Sequence, residues 1–370
     1  MATPAFWVML LSEVSHTSAK AYAPNLGCHI GTRGKSLPKN IECARNRTGE
    51  EMSFASVEIC AGAGGQALGL EQAGFDHVNL VELDAAACQT LRINRSHWHV
   101  TEDDLRCYSA EKWRGVELLA GGIPCPPFSK AGKQLGNEDE RDLFPEAIRL
   151  VSECNPQAVM LENVRGLLDS VFNEYRAKII SDLRKLGYIA EWRLLNASDF
   201  GVPQLRPRVV FVALKKSTSE YFNWPSASAS PPPTVGEALF DLMAANGWRH
   251  ARQWQKHACD IAPTLVGGSK KHGGPDLGPS RAKKAWASIG VDGMGIADAA
   301  PEKDFVGMPR LTIRMAARIQ GFPDHWQFSG RKTAAYRQVG NAFPPPVAHA
   351  VGVQIQAAFN AAAKQKLKRA

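Results

Sequence analysis

The chain has 370 residues, of which 44% are hydrophobic and 22% charged, as in an ordinary globular protein long enough for two domains. No apolar run reaches the roughly 18 residues of a membrane span, and the eight cysteines show neither a Cys-x-x-Cys pair nor a zinc-type spacing. These features exclude a membrane protein, a disulfide framework and a Cys/His metal centre, so we expect a cytoplasmic location. The net charge of +8 favours a polyanionic partner such as nucleic acid.

Residues 1–52 precede the first clear strand pattern and are rich in Gly, Asn, Ser, Thr and Arg, which is typical of a mobile extension. Gly49-Glu50-Glu51 would be encoded by a purine-rich stretch that is similar to a bacterial ribosome-binding site. Met52 follows directly, and we therefore expect translation to start there.

A strand, a glycine-rich turn and a helix follow. Ala55–Cys60 predicts the strand, the turn runs from residue 61 to 65, and a helix is expected over 66–73. Such a turn brings backbone N–H groups close to a ligand. The next predicted strand, Val78–Glu82, ends in an acid about 20 residues further on, where nucleotide folds place a ribose-binding carboxylate. The turn lacks the full Gly-x-Gly-x-x-Gly pattern, which favours a nucleoside without a diphosphate.

Two apolar runs predict neighbouring buried strands with chemistry at their ends. Residues 116–121 lead into Gly122-Ile-Pro-Cys-Pro-Pro-Phe-Ser129, and Ala158–Val164 contains Glu162. A lone cysteine in a proline-stiffened turn is most often a packing residue. If the two strands are neighbours, however, Cys125 and Glu162 face one crevice at the carboxyl edge of the sheet, where open α/β folds bind ligands.

The remaining elements are predicted in chain order as follows: helices over 142–151 and 173–186, strands over 191–197 and 209–214, a helix over 311–321, a turn over 336–342 and a long helix over 344–363. Arginines just before a buried strand are commonly surface charges. Beside a thiol and a carboxylate, Arg206 and Arg208 become candidates for base and phosphate contacts.

The composition changes at Asn223, where a Ser/Ala/Pro-rich stretch begins, and periodicity stays weak to about residue 310. Within it, residues 264–274 are basic and glycine-rich, which suits contact with a phosphate backbone. We predict a catalytic and cofactor-binding domain of residues 53–223 plus 331–370, and a smaller domain of residues 224–330.

Six motifs occur in the order in which one enzyme family has them: Glu58–Gly65, Gly122–Ser129, Glu162–Val164, Gln204–Arg208, Arg310–Asp324 and Gln338–Asn341. The chain resembles the DNA (cytosine-5)-methyltransferases of the bacterial restriction–modification type, over residues 55–350. The resemblance implies an α/β fold: a Rossmann-like S-adenosylmethionine-dependent methyltransferase domain with a smaller target-recognition domain. It also implies the cofactor S-adenosylmethionine and no metal.

The family resemblance assigns roles to individual residues. The catalytic set is Cys125, Glu162, Arg206 and Arg208. The cofactor-binding set is Glu58, Cys60, Gly62, Gly64, Gly65, Glu82, Leu83, Asp104, Leu105, Pro124, Leu143 and Asn341. The DNA-binding set is Ser129, Gln204, Thr264, Leu265, Lys270 and Lys271. Two positions depart from the family pattern: Cys60 stands where a phenylalanine usually stacks on adenine, and Pro126 stands where many members have glutamine.

By this resemblance the chain methylates carbon 5 of cytosine in a specific double-stranded DNA sequence, through a covalent Cys125–cytosine intermediate and a flipped-out base. The expected protein is a monomer that acts beside a cognate restriction endonuclease without stable binding. Three alternatives are a transfer-RNA methyltransferase on the same scaffold, a non-catalytic DNA-binding relative and a nicotinamide-dependent oxidoreductase. The Cys-Phe-Thr signature of the RNA-directed branch is absent from the sequence, and the intact residues of the catalytic set disfavour the second alternative.

Overall fold

The computed structural model describes residues 53–124, 142–268 and 274–369. The N-terminal extension, Cys125, Pro126, Ser129, Lys270 and Lys271 lie outside the described residues. None of the helices in the described ranges is long and apolar enough to cross a membrane.

Seven strands form one sheet in the order β3-β2-β1-β4-β5-β7-β6. They are β1 (Phe54–Ile59), β2 (Phe75–Glu82), β3 (Val100–Glu102), β4 (Leu118–Gly122), β5 (Ala158–Val164), β6 (Tyr188–Asn196) and β7 (Pro207–Lys215). β1 to β5 pair in parallel, whereas β7 lies antiparallel between β5 and β6. The parallel part confirms the predicted Rossmann-like sheet, and its carboxyl edge gathers the ends of β1, β2, β4 and β5.

Eleven α-helices occur in the described residues: α1 (Gly65–Gln72), α2 (Ala85–Asn94), α3 (Phe144–Cys154), α4 (Asn173–Lys185), α5 (Lys216–Ser219), α6 (Val235–Met243), α7 (Ala251–His257), α8 (Ser280–Ser288), α9 (Ile313–Ile319), α10 (Lys332–Asn341) and α11 (Pro345–Arg369). α11 shows why the alanine-rich end of the chain is ordered. Val347, Val351 and Ile355 recur at helical spacing and pack in a buried cluster with Leu70 and Phe75.

Most elements predicted from the sequence are present within a few residues of their expected bounds, and β4 and β5 are neighbours as expected. The predicted turn over 336–342 is wrong, because these residues form most of α10. Tyr336 and Val339 are fully buried on one face of that helix, and Gly340 disguised its pattern. The weak periodicity of 224–310 also concealed α6, α7 and α8, which pack around the buried Trp254 and Trp286.

Candidate active site

The glycine-rich turn after β1 is hydrogen-bonded to the carboxylate of Glu82 at the end of β2. The Gly62 N–H donates to Glu82 Oε2 at 2.7 Å, and the N–H groups of Leu83 and Asp84 donate to Glu82 Oε1 at 2.9 and 2.8 Å. Gly64 begins α1 with a φ of 82°, and a Cβ there would lie 2.7 Å from Leu91. A side chain at position 64 would therefore be both strained and crowded.

A cleft of about 210 Å³ opens above this turn. Six of the predicted cofactor residues line it: Glu58, Cys60, Gly62, Gly65, Glu82 and Asn341. The other six lie outside this lining: Gly64 and Leu105 are buried, Leu143 is half-buried, Asp104 pairs with Arg106, and Leu83 and Pro124 are exposed. The structure thus gathers half of the predicted set around one cleft.

The cleft is acidic, which fits a cationic ligand. Glu58, Glu82, Asp84 and Glu162 line it, against the one cation Arg337 among its described lining residues. Glu58 is fully buried, and neither of its carboxylate oxygens has a hydrogen-bond partner in the described part of the chain. Burial raises the pKa of Glu58 well above its ordinary value. Unpaired acceptor oxygens beside an acidic cleft suit a nucleoside that carries sulfonium and ammonium groups, so the residues present fit S-adenosylmethionine.

Glu162 lies where β5 meets β4 and β7, and it also lines the cleft. Arg208 Nε is 2.7 Å from Glu162 Oε1, and the two side chains are only 12% and 10% exposed. Burial raises the pKa of Glu162, while the charges of Arg208 and Arg206 oppose the rise. A buried acid with a raised pKa beside a fixed guanidinium can give a proton to a ligand and stabilise an oxygen on the same ligand.

The described residues just before the predicted nucleophile, Cys125, are hydrogen-bonded to the strand that carries Glu162. The Ile123 N–H donates to the Glu162 carbonyl oxygen at 3.2 Å, and Asn163 Nδ2 donates to the Ile123 carbonyl oxygen at 2.9 Å. The end of β4 is therefore held against the end of β5 up to Pro124, the residue before Cys125.

Arg206 and Gln204 lie apart from the cleft lining. Arg206 is fully buried and donates to the carbonyl oxygens of Leu265 at 2.7 Å, Gly340 at 2.7 Å and Ala342 at 3.0 Å. Gln204 is also fully buried and accepts a hydrogen bond from the Leu265 N–H at 2.8 Å. Both side chains hold other segments of the protein together in this structure.

Two further residues of the predicted DNA-binding set are built into the same region. Leu265 is 1% exposed. The Thr264 hydroxyl is half-buried and donates to the Leu205 carbonyl oxygen. Both residues therefore contact the segment that carries Gln204 and Arg206.

Several cleft residues received no site role in the sequence analysis. They include Arg337 on α10, Asp84 at the start of α2, and Gln338, which the sequence analysis named only as part of the motif Gln338–Asn341. Arg337 lies one helical turn before Asn341, and its Nη2 is 3.6 Å from Asp84 Oδ2. The helical spacing between Arg337 and Asn341 was the available signal, and the interpretation of 336–342 as a turn hid it.

Comparisons with known proteins agree with the geometry. Residues 54–357 match the family model described as C-5 cytosine-specific DNA methylase. The chain is 59% identical over 307 residues to the type II methyltransferase M.NgoMIV of Neisseria gonorrhoeae, covering 82% of this chain and 97% of the relative. It is 59% identical over 315 residues to the type II methyltransferase M.NaeI of Lentzea aerocolonigenes, covering 83% and 76%.

A crystal structure described as a prophage-encoded DNA modification methyltransferase of E. coli is 26% identical, with a TM-score of 0.59, and the match covers 83% of this chain and all of that one. The sheet order, the cleft and the Glu162–Arg208 pair are thus found in a chain whose sequence matches one family over most of its length. The chain belongs to the C-5 cytosine-specific DNA methylase family and is a DNA (cytosine-5)-methyltransferase.

Proposed function

We propose that the chain is the modification enzyme of a type II restriction–modification system, and that it methylates cytosine within one specific double-stranded DNA sequence. The family match and the names of the type II relatives support this role. The observation that carries the chemistry is the buried Glu162–Arg208 pair: Glu162 lines the cleft at the end of β5, and Arg208 lies behind it at 2.7 Å. A monomer in the bacterial cytoplasm, acting beside a separate endonuclease, completes the proposal.

The donor site is the acidic cleft above the glycine turn. S-adenosylmethionine, when bound, supplies an electrophilic methyl group on a sulfonium centre. Glu58, Glu82 and Asn341 are the lining residues that would hold it, since their acceptor oxygens complement its positive charges. Cys60, which also lines the cleft, offers no aromatic ring for the adenine.

Carbon 5 of cytosine is too weak a nucleophile to take the methyl group unaided, so the ring must be activated. In the proposed mechanism the Cys125 thiolate adds to carbon 6, and Glu162 gives a proton to ring nitrogen 3. Arg208 donates to the carbonyl oxygen of the base, where negative charge develops. Carbon 5 then takes the methyl group, and the donor leaves as a neutral thioether. Loss of the carbon 5 proton to solvent and elimination of the Cys125 thiolate restore the ring, and ring nitrogen 3 gives its proton back to Glu162.

A cytosine inside a duplex cannot reach a buried carboxylate such as Glu162. The base must therefore leave the helix, at a cost of a few kcal/mol, and enter the cleft. Because Glu162 and Arg208 are already paired and shielded from water, the enzyme needs little reorganisation of these groups when the base arrives.

The experiment that tests the mechanism compares the wild type with Cys125→Ser. We expect the serine variant to lose methylation of duplex DNA while keeping its affinity for S-adenosylhomocysteine, because the hydroxyl is a far weaker nucleophile than a thiolate. Bisulfite sequencing of DNA from expressing cells should give the target sequence, and a duplex with 5-fluorocytosine at that site should form a covalent adduct with the wild type alone. A substantially active Cys125→Ser, or tritium transfer to transfer RNA in place of duplex DNA, would contradict the proposal.

A further inference from the structure

The peptide group between Ala63 and Gly64, in the glycine-rich turn after β1, is held at both ends. Its N–H group, on Gly64, donates to the Ala61 carbonyl oxygen at 3.0 Å. Its carbonyl oxygen, on Ala63, accepts a hydrogen bond from Trp326 Nε1 at 3.2 Å. Ala63 and Trp326 are only 2% and 1% exposed, so the bond between them is shielded from solvent. A side chain 263 residues further along the chain thus fixes the orientation of this peptide group.

The glycine at position 64 makes such a restraint necessary. Gly64 has a φ of 82°, in the left-handed region that favours glycine. Reversing the peptide group would turn its carbonyl oxygen to the side where its N–H now lies, and would bring the φ of Gly64 to a negative value. Glycine adopts negative φ about as readily as positive φ. The backbone torsions alone therefore do not hold the peptide group, and the bond from Trp326 opposes its reversal.

Trp326 is itself fixed by its neighbours. The centre of its ring lies 6.1 Å from that of Trp98 and 5.8 Å from that of Phe322. The Arg95 guanidinium lies 5.2 Å from the centre of the indole, and Arg95 Nε donates to both carboxylate oxygens of Glu71 on α1. The indole therefore cannot turn to follow a peptide group that moves.

The residues that follow Trp326 are hydrogen-bonded to α2. Asn94 Nδ2 donates to the Gln327 carbonyl oxygen at 2.7 Å, and the Gln327 N–H donates to Asn94 Oδ1 at 2.8 Å. The Ser329 N–H donates to Thr90 Oγ1 at 2.8 Å. These bonds fix the backbone on the carboxyl-terminal side of Trp326, so its N–H group is presented to the turn from a fixed position.

The turn that Trp326 holds is part of the donor cleft. Ala61, Gly62, Ala63 and Gly65 line that cleft, whereas Trp326 is not among its described lining residues. Ala63 and Gly65 lie on either side of Gly64, so a reversal of the peptide group would displace two lining residues at once. Trp326 therefore acts on the cleft through the Ala63 carbonyl group, without lining it.

We propose that Trp326 is a positioning residue for methyl-donor binding: its indole N–H keeps the Ala63–Gly64 peptide group in the orientation in which the glycine-rich turn accepts the donor. The inference rests on the proposed function, which places S-adenosylmethionine in this cleft. A turn that is already in its binding orientation loses less entropy when the ligand arrives, and this raises the affinity.

The first test removes the N–H donor. Trp326→Phe keeps a ring at this position and should weaken S-adenosylhomocysteine binding, measured by titration calorimetry without DNA, by about 5-fold or more, which is roughly the worth of one buried hydrogen bond. Trp286→Phe is the matched control. Trp286 is also fully buried, and its Nε1 has no hydrogen-bond partner in the described part of the chain. The donor affinity of Trp286→Phe should equal that of the wild type.

The second test follows the peptide group itself, which a general loss of stability would not affect selectively. Hydrogen–deuterium exchange at the Gly64 amide should be faster in Trp326→Phe than in Trp286→Phe, relative to the amides of α11, because a peptide group that reverses breaks its bond to Ala61. In steady-state assays of Trp326→Phe, the KM for S-adenosylmethionine should rise by a larger factor than kcat falls.

A third variant removes the N–H alone. Replacement of Trp326 by 3-benzothienylalanine puts sulfur in place of the indole nitrogen in a ring of nearly the same shape. It should show the same loss of donor affinity and decides the matter if Trp326→Phe does not fold, which thermal melting shows.

The outcomes separate the two proposals. A wild-type protein that binds no S-adenosylhomocysteine contradicts the proposed function. A wild type that binds it, together with Trp326 variants that match Trp286→Phe in donor affinity and in Gly64 exchange, contradicts the positioning role alone.

Discussion

The Glu162–Arg208 pair and the buried contacts of Arg206 each use one arginine of the motif Gln204–Arg208, yet they accommodate a buried charge in different ways. Arg208 lies 2.7 Å from a carboxylate, whereas Arg206 meets only carbonyl oxygens and the Gln204 side chain. A carboxylate neutralises the guanidinium and can itself take part in proton transfer; carbonyl oxygens can only hold it. Two arginines of one motif can therefore have different roles, one beside the proton donor Glu162 and one in holding segments of the fold together.

Among the changes predicted here, Glu162→Gln should have the largest effect on the catalytic rate. The amide keeps the shape of the side chain but cannot give up a proton, so kcat should fall by about 10²- to 10⁴-fold. The measurement is single-turnover methylation of duplex DNA, with Glu174→Gln, an exposed change on α4, as the matched control.

The pH dependence of kcat tests the same role of Glu162. The protonated form of Glu162 is the active one, and burial raises its pKa, so its contribution to wild-type kcat should persist above the ordinary glutamate range and decline as the pH rises further. Glu162→Gln should lack this alkaline decline. A variant with near-wild-type kcat, or one that keeps the same decline, would show that another group supplies the proton.

Arg206→Lys and Arg208→Lys sharpen the contrast within the motif. A lysine at 206 cannot reach all three carbonyl groups, and each one left unpaired should lower the free energy of unfolding by about 1–3 kcal/mol. A lysine at 208 can still pair with Glu162, so that variant should lose activity more than stability. Urea unfolding and methylation rates of the two variants check this. Equal losses of stability would remove the distinction between the two arginines.

These residues show which parts of the site could be predicted from the sequence. The strands around Glu162, the glycine turn and the carboxylate of Glu82 follow from local patterns, because apolar runs and glycines fix them over short stretches. The positions of Gln204 and Arg206 could not be predicted, because their partners lie between 59 and 136 residues away in the chain. Spacing reveals that polar residues share a motif, but long-range packing decides which of them face the cleft.

Glu58 adds a third kind of buried charge to the comparison, since in the described residues no cation pairs with it, and the backbone N–H of Ala67 only partly opposes the effect of burial. Burial raises its pKa in the folded protein well above its ordinary value. Between the ordinary glutamate pKa of about 4.3 and the raised value, the folded state binds more protons than the unfolded state, so this group makes stability fall as the pH rises.

A glutamine at position 58 cannot ionise, so Glu58→Gln should make the stability of the protein depend less on pH. Without ligand, the urea midpoint of the wild type should drop more steeply between about pH 5 and about pH 8 than that of the variant. Glu174→Gln should keep the wild-type slope, because its carboxylate is exposed. Equal slopes for the wild type and Glu58→Gln would mean that the protein already stabilises the Glu58 carboxylate, and the case for an unpaired acid awaiting a cationic ligand would fail. A flattened slope would instead show that the protein accommodates buried ionisable groups in three ways. Arg208 is paired with a carboxylate, Arg206 is held by carbonyl oxygens, and Glu58 is neutralised by a proton.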